Sequence, residues 1–385
     1  MASLATMDFA FGREQGMVRD TARRFAEREV KPIAKELDEV ESFPWPTLKK
    51  MWEVGLMGMT VPKEYGGTGS DYVSYAAAIE EISKASASVG VIMAVHNSVC
   101  AYPIVKYGTD SQKAKYLPRL ARDGWLGAFA LTEPSAGSDA SAVQTTARLD
   151  GGNYVLNGNK VFITSGTEAH LIIVVASTDR SKGSKGLTAF LVEKGMPGFT
   201  YGTTEEKMGM RGSATSELVF ENCIVPRENV LGADGEGLKI ALSSLDGGRI
   251  GIAAQALGIA QAALDEAVKY AKEREQFGRP IARLQAIQWK LADMAVSVEA
   301  ARTLVYRAAW LKDAGLPLGK EAAMAKLYAS RVAREVTNEA VQIHGGYGYT
   351  RDYEVERYYR DAKVTEIYEG TSEIQKLVIA NALLK

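Results

Sequence analysis

The feature that most restricts this chain is a change of period. From residue 12 to about 122, apolar residues recur at helical spacing, broken by Pro44, Pro46, Pro62 and the turn-rich stretch 65–71. From about 127 to 231 the pattern becomes that of strands. The runs 144–149 and 154–164 flank the turn signal Asp150-Gly151-Gly152-Asn153, and the short apolar runs 171–176, 187–192 and 217–225 follow. Beyond 235 helical periodicity returns, with Ile250, Ala253, Leu257, Ala260 and Leu264 on one stripe and Leu284, Ile287, Leu291, Met294 and Val298 on another. An α+β chain is expected, divided at 1–125, 126–234 and 235–385, with about five helices first and a closely packed bundle last. On periodicity alone, that bundle closes its core within one chain or buries further area by oligomerising.

Charge removes some functions. Lys and Arg number 46 against 47 Asp and Glu, so no net field exists to hold a nucleic-acid backbone or an anionic membrane. Cys100 and Cys223 are the only cysteines, which argues against a disulfide framework or a thiol active site and for a reduced compartment. No apolar run is read as approaching the ~18 residues of a membrane span. Residues 1–11 lack the basic and apolar regions of a secretory leader, so cytoplasmic residence is expected; a mitochondrial matrix enzyme already stripped of its presequence reads the same way.

The familiar catalytic signatures are missing. No G-x-G-x-x-G, G-x-x-x-x-G-K-[ST] or G-x-S-x-G is present, which leaves nicotinamide, P-loop and α/β-hydrolase readings without support. His96, His170 and His344 stand far apart without Cys or His at ligand spacing, so no metal is expected. What remains is a set of polar and glycine clusters at element boundaries. Leu131-Thr132-Glu133-Pro134-Ser135-Ala136-Gly137-Ser138-Asp139 offers hydroxyls and backbone N–H groups suited to a planar cofactor or a phosphate, or is simply a polar loop. Gln342-Ile343-His344-Gly345-Gly346 ends one helix, and 367–373 leads into another. There Thr371 or Ser372 serves as an N-cap, and Glu369 is either a base or a surface carboxylate.

In this order, the clusters resemble the acyl-CoA dehydrogenase family. The resemblance runs over essentially the whole chain: Pro62-Lys63-Glu64-Tyr65-Gly66-Gly67, the 131–139 loop, Asn157-Gly158-Asn159-Lys160, Phe162-Ile163-Thr164 and Arg274-Glu275-Gln276-Phe277-Gly278. It continues through 342–346, Tyr359-Arg360-Asp361-Ala362 and Tyr368-Glu369-Gly370-Thr371. It implies an N-terminal helical domain, a middle β-barrel or sandwich domain and a C-terminal four-helix bundle, with FAD between the last two. Thr132, Phe162 and Thr164 would contact the flavin ring, Ser138 the flavin or substrate, and Thr371 and Glu373 the cofactor's linking region. Arg274, Gln276, Phe277, Gln285, Gln342 and Gly346 would meet the cofactor of a neighbouring subunit, so a homo-oligomer, usually a tetramer, is expected.

The resemblance also implies a reaction. The α proton of an acyl-CoA thioester would pass to Glu369 and the β hydride to the flavin, and electrons would leave through electron-transferring flavoprotein. Asp246, Arg249 and Gly370 would join Ser138 on the substrate side. Without the family, Asp246 reads as a helix N-terminal cap and Arg249 as a solvated charge. Some branches carry the base on the helix read as beginning near Leu245, where this chain has Gly248, which cannot serve. Phe162 stands where many relatives have Trp. Gly90 stands where the glutaryl-type branch has Arg, which disfavours a dicarboxylic substrate. The 245–261 segment most resembles short-chain and short branched-chain members, so butyryl-CoA is the expected substrate, with branched-chain, medium-chain and alicyclic acyl-CoAs as alternatives. Two other readings are an acyl-CoA oxidase, which peroxide yield would reveal, and a non-catalytic assembly homologue, which would take up no FAD.

Overall fold

Where periodicity predicts about five helices before the sheet, the computed structural model, which describes residues 10–384, has seven α-helices: α1 (Arg13–Phe25), α2 (Ala34–Val40), α3 (Trp45–Glu53), α4 (Tyr72–Ala85), α5 (Ala87–Val95), α6 (Tyr102–Tyr107) and α7 (Asp110–Ala121). Most of residues 1–11, on which the leader expectation rests, lies outside the described residues. Part of the higher count comes from one rod divided in two. Helices α5 and α6 are joined through the π-helical turn His96–Ala101, ahead of Pro103 in the first turn of α6. This rod corrects the reading that no segment is long and apolar enough to span a membrane. Ala87–Tyr107 has 21 residues and a mean hydropathy of 1.5. Its most apolar stretch is 89% buried inside the protein, however, which makes it a core helix.

The strands are β1 (Gly127–Ala130), β2 (Thr146–Asp150), β3 (Asn153–Thr164), β4 (Leu171–Ser177), β5 (Leu187–Glu193), β6 (Phe199–Thr204), β7 (Thr215–Pro226) and β8 (Val230–Leu231). They form one sheet in the order β6-β7-β3-β2-β4-β5-β8, with β1 beside β4 and parallel to it. The β2–β3 hairpin closes at Asp150 opposite Asn153 through Gly151 and Gly152. Both glycines have positive φ (54° and 88°), as a tight primed turn requires. β4 is buried along its whole length because both faces are covered. Ile172, Val174 and Ala176 pack with Phe190, Val192 and Phe220, while Leu171 and Ile173 pack with Ile104, Leu117, Leu120 and Ile240. The second contact docks the first helices on the sheet. Cys100 and Cys223 are both free and buried, in different clusters.

After the sheet come α8 (Gly237–Glu273), a hairpin of β9 (Glu275–Gln276) and β10 (Arg279–Pro280), α9 (Gln285–Asp313), α10 (Gly319–His344), α11 (Val355–Val364) and α12 (Ser372–Leu383). The stripe 250, 253, 257, 260, 264 on α8 is buried as its period predicts. Small residues let α8 lie close to α4: a β-carbon at Gly258 would come within 2.4 Å of the Glu80 carbonyl. A polar tie spans the same junction. Glu80, 6% exposed, accepts hydrogen bonds from Arg302 and from Tyr306 Oη at 2.6 Å, and Arg302 Nη2 donates to Gln261 Oε1 at 2.7 Å. Three helices, α4, α8 and α9, meet there. Removing one partner of a buried pair strands the other charge. Arg302→Met is therefore expected to cost ~3 kcal/mol in denaturation, and adding Glu80→Gln should recover more than half of it. Equal loss in the single and double variants would contradict this.

Candidate active site

Three elements converge on Glu369: α8, α10 and the turn between α11 and α12. Glu369 and Gly370 take successive left-handed conformations, with φ of 50° and 94°. This is costly for a non-glycine residue unless its surroundings hold it. Here they do. Lys326 Nζ on α10 donates to the Gly370 carbonyl at 2.7 Å, and Gln375 Nε2 donates to the carbonyls of Gly370 and Glu369 at 2.9 and 3.2 Å. Thr371 caps α12, accepting from the Ile374 N–H at 3.4 Å.

The turn sends the Glu369 side chain inward. The residue is half-buried, but both carboxylate oxygens are buried and neither has a hydrogen-bond partner. Space for them comes from α8, since a β-carbon at Gly248 would lie 2.1 Å from Glu369 Oε2. Burial raises the carboxyl to about 7, against the opposing pull of Lys326 and Arg249. Beside it, Val91, Val95 and Val99 share a cluster with Ile252 of α8, edged by Phe129 and Tyr368. Tyr368 Oη donates to Gln255 Oε1, and Gln255 Nε2 donates to the Ala87 carbonyl at 2.8 Å.

The bland readings of two nearby residues are corrected. α8 begins at Gly237, so Asp246 lies well inside the helix and caps nothing. Arg249 is only 6% exposed, pairs with Asp246 Oδ1 at 2.7 Å, and leaves its Nε buried and unpaired. Burial, opposed by Arg249 and two lysines, raises the Asp246 carboxyl. Gly90 proves to be a packing position: a β-carbon there would come within 2.1 Å of Ser83 Oγ on α4, so its lack of a side chain serves the helix crossing.

A second group is anchored by a buried ion pair that the sequence reading passed over. Lys160, fully buried, donates to Glu133 Oε1 at 2.7 Å and to the Leu131 carbonyl at 3.0 Å. The Glu133 oxygens also accept the N–H groups of Gln144 and Thr145 at 2.5 and 2.9 Å. This pins the 131–139 loop to β3. The Val161 N–H donates to the Thr132 carbonyl at 2.9 Å, which sets half-buried Thr132 beside Phe162 and Thr164. The β3–β7 register shifts between Lys160 and Ile163, and within that irregularity Phe162 has φ of 58° and is 63% exposed. Ser138 is exposed on the loop, and Glu373 is exposed in the first turn of α12.

The remaining predicted residues form a third, outward-facing set. Arg274, Gln276 and Gly346 line one groove with Tyr270, His344 and Tyr347, and the Arg274 guanidinium lies 5.4 Å from the Tyr347 ring centroid. Phe277, at the tip of the β9–β10 hairpin, is 87% exposed with φ of 55°. Gln285 and Gln342 are exposed on α9 and α10. None of Thr132, Ser138, Phe162, Thr164 or Thr371 lines that groove.

Family models account for nearly all of this chain. The acyl-CoA dehydrogenase N-terminal domain matches 12–124, the middle domain 128–223 and the C-terminal domain 235–384. The chain belongs to the acyl-CoA dehydrogenase family. It is 56% identical to a short-chain specific acyl-CoA dehydrogenase of Clostridium acetobutylicum, over 98% of this chain and 100% of that one. It superposes on butyryl-CoA dehydrogenase from Megasphaera elsdenii with a TM-score of 0.97 and 49% identity, covering 98% and 100% of the two chains. A chain in a structure of the electron transferring flavoprotein of Acidaminococcus fermentans gives 0.97 and 55%, with the same coverage. As a member, the chain is an oxidoreductase with FAD as cofactor. The exposed Phe162 and the threonines beside it fit a planar ring, and the unpartnered Glu369 carboxylate fits a neighbouring reactant.

Gly248 provides the sharpest test of this geometry. In Gly248→Ala the added methyl would displace the carboxylate. Misplacing a reacting group by about 1 Å costs on the order of 100-fold, so kcat/KM is expected to fall by about that factor while the melting temperature changes little. Full activity would contradict the placement of Glu369.

Proposed function

We propose that the chain oxidises a short-chain acyl-CoA, butyryl-CoA foremost, to the trans-2-enoyl thioester, with Glu369 as the base. The observation that carries this reading is the buried carboxylate with no partner. It is a base desolvated before substrate arrives, as removal of a weakly acidic α proton requires. The Cα–H bond breaks as its proton passes to Glu369, and the Cα–Cβ double bond forms as a hydride leaves Cβ. Bound FAD supplies the acceptor for that hydride. The Val91, Val95, Val99 and Ile252 wall favours an apolar acyl chain. Asp246, Arg249, Ser138 and Gly370 are the substrate-side contacts in this reading.

Thr132, Ser138, Phe162, Thr164, Thr371 and Glu373 would hold the cofactor from one subunit. Arg274, Gln276, Phe277, Gln285, Gln342 and Gly346 would reach it from another, and their exposure supports a shared-site homotetramer. Electron-transferring flavoprotein is proposed as the electron acceptor, on the likeness to the chain in the Acidaminococcus structure. Two buried, unpaired cysteines suit a reducing compartment, and cytoplasmic residence without membrane insertion is proposed.

Because burial raises the carboxyl to about 7, only the form above that pH can take a proton. In steady-state assays with butyryl-CoA, kcat/KM is expected to fall about tenfold per pH unit below 7 and to level off above it. A flat profile from pH 5 to 8 would contradict the assignment. The same shift sets a stability trend in the apoprotein. The folded state binds the Glu369 proton more tightly than the unfolded chain does, so stability contributed by the neutral acid is present below pH 4.5 and is lost as pH rises to about 7. Glu369→Gln should therefore match wild type at pH 4.5 and exceed it by ~3 kcal/mol at pH 8.

A further inference from the structure

We infer that Lys326 is a positioning residue for the reaction: it fixes the turn that aims Glu369 and supplies the positive charge facing its carboxylate. The inference rests on the reading of Glu369 as the base. Lys326 is fully buried in the third turn of α10, and no carboxylate lies within ion-pairing distance of it among the described residues, nearby Glu366 pairing with Arg334 and Lys363 instead. Its one hydrogen-bond acceptor is the carbonyl of Gly370, the residue after the base. The tether is shared, because Gln375 donates to the same carbonyl at 2.9 Å. What a lysine adds there is charge.

A buried cation without a carboxylate in contact is expensive, and the structure tolerates it beside a buried carboxylate that likewise has no contact partner. Each moderates the desolvation of the other across the Glu369–Gly370 peptide. Burial pushes Lys326 down to about 8, and Glu369 is the foremost influence opposing that. Lys326 is in turn the foremost influence holding Glu369 down. The other charged or titratable groups around the pair are Arg249 on α8, Tyr75 on α4, Tyr368 in the turn itself, and Glu366 and Glu373 toward Lys326. Of these, Arg249 is the only other cation acting on Glu369, and Asp246 already pairs with it. Lys326 therefore keeps Glu369 ionised near neutral pH, while the turn it helps to hold keeps the carboxylate in place.

The test is the pH profile of kcat/KM for FAD-loaded wild type, Lys326→Met, Lys326→Gln and Lys326→Arg. Loss of the charge should move the acid limb of both Met and Gln variants to higher pH by ~1 unit or more, since a nearby opposite charge shifts a carboxyl by that amount. At pH 6 each would then fall at least about tenfold below wild type, with most of the difference recovered by pH 9; Arg should restore the wild-type limb. A purely structural lysine would lower the plateau without moving the limb, and Gln would restore the profile; either result overturns the inference. So would Met and Gln proteins that fail to fold or to bind FAD. A wild type with no limb would instead overturn the base assignment, and this inference with it. As a readout independent of turnover, the pH at which the stabilisation of the apoprotein by Glu369→Gln levels off should rise by the same interval in the Lys326→Met background, since that upper limit is set by the folded-state carboxyl; no change there counts against the charge.

Discussion

A carboxylate taken out of water without a hydrogen-bond donor sets the terms for much of this structure. Transferring such a group to the interior costs several kcal/mol unless it takes up a proton or finds compensating charge. Three features around Glu369 answer that cost. Burial raises its carboxyl so that the neutral acid is accessible near pH 7. The charges of Lys326 and Arg249, on two helices, oppose that rise. The turn that carries it is tied by Lys326, Gln375 and the Thr371 cap. The same constraint explains a glycine inside α8, where glycine weakens a helix by ~1 kcal/mol relative to alanine. Any side chain at Gly248 would take the space of the carboxylate. The two positions at which the family resemblance places a base thus compete for one volume, and this chain fills it from residue 369.

The rest of the architecture delivers elements to that point. The α5–α6 rod is apolar enough to resemble a membrane span, and it lies in the interior, with one face presenting Val91, Val95 and Val99 beside Glu369. The sheet holds the 131–139 loop through the Lys160–Glu133 pair. Burial pushes Lys160 down to about 8 against the attraction of Glu133, while Glu133, for which burial favours the neutral acid, is held below its usual value mainly by Lys160. The ion pair therefore stays charged, and the loop takes its shape from it.

What the sequence revealed follows from how local each signal is. Strands β3, β4, β5 and β7 were legible because alternation or a closed apolar run marks them, and the Gly151-Gly152 hairpin because two positive-φ residues leave few alternatives to glycine. Strand β6 was not, since beyond Phe199 and Tyr201 it is polar and glycine-containing. Local pattern alone misplaces Asp246 and Arg249, because the residues near Leu245 look like a helix start while α8 already runs from Gly237. Glu369, Gly370 and Thr371 were found through a contiguous motif. Lys326 and Gln375 were not, because their roles are long-range: each reaches a carbonyl that only tertiary packing brings near. One signal did exist for Lys326. It lies on the α10 stripe with Ala322, Ala329 and Ala333, a lysine where the helical period calls for a small apolar residue.

The most direct test of the account is an anaerobic titration of the FAD-loaded protein with butyryl-CoA, following the flavin absorbance in wild type and in Glu369→Gln. The account predicts bleaching in wild type and none in the variant, although both bind the cofactor and the thioester. Bleaching to the same extent and at the same rate in both would contradict it, because the α proton would then have another acceptor and the buried carboxylate no part in the chemistry.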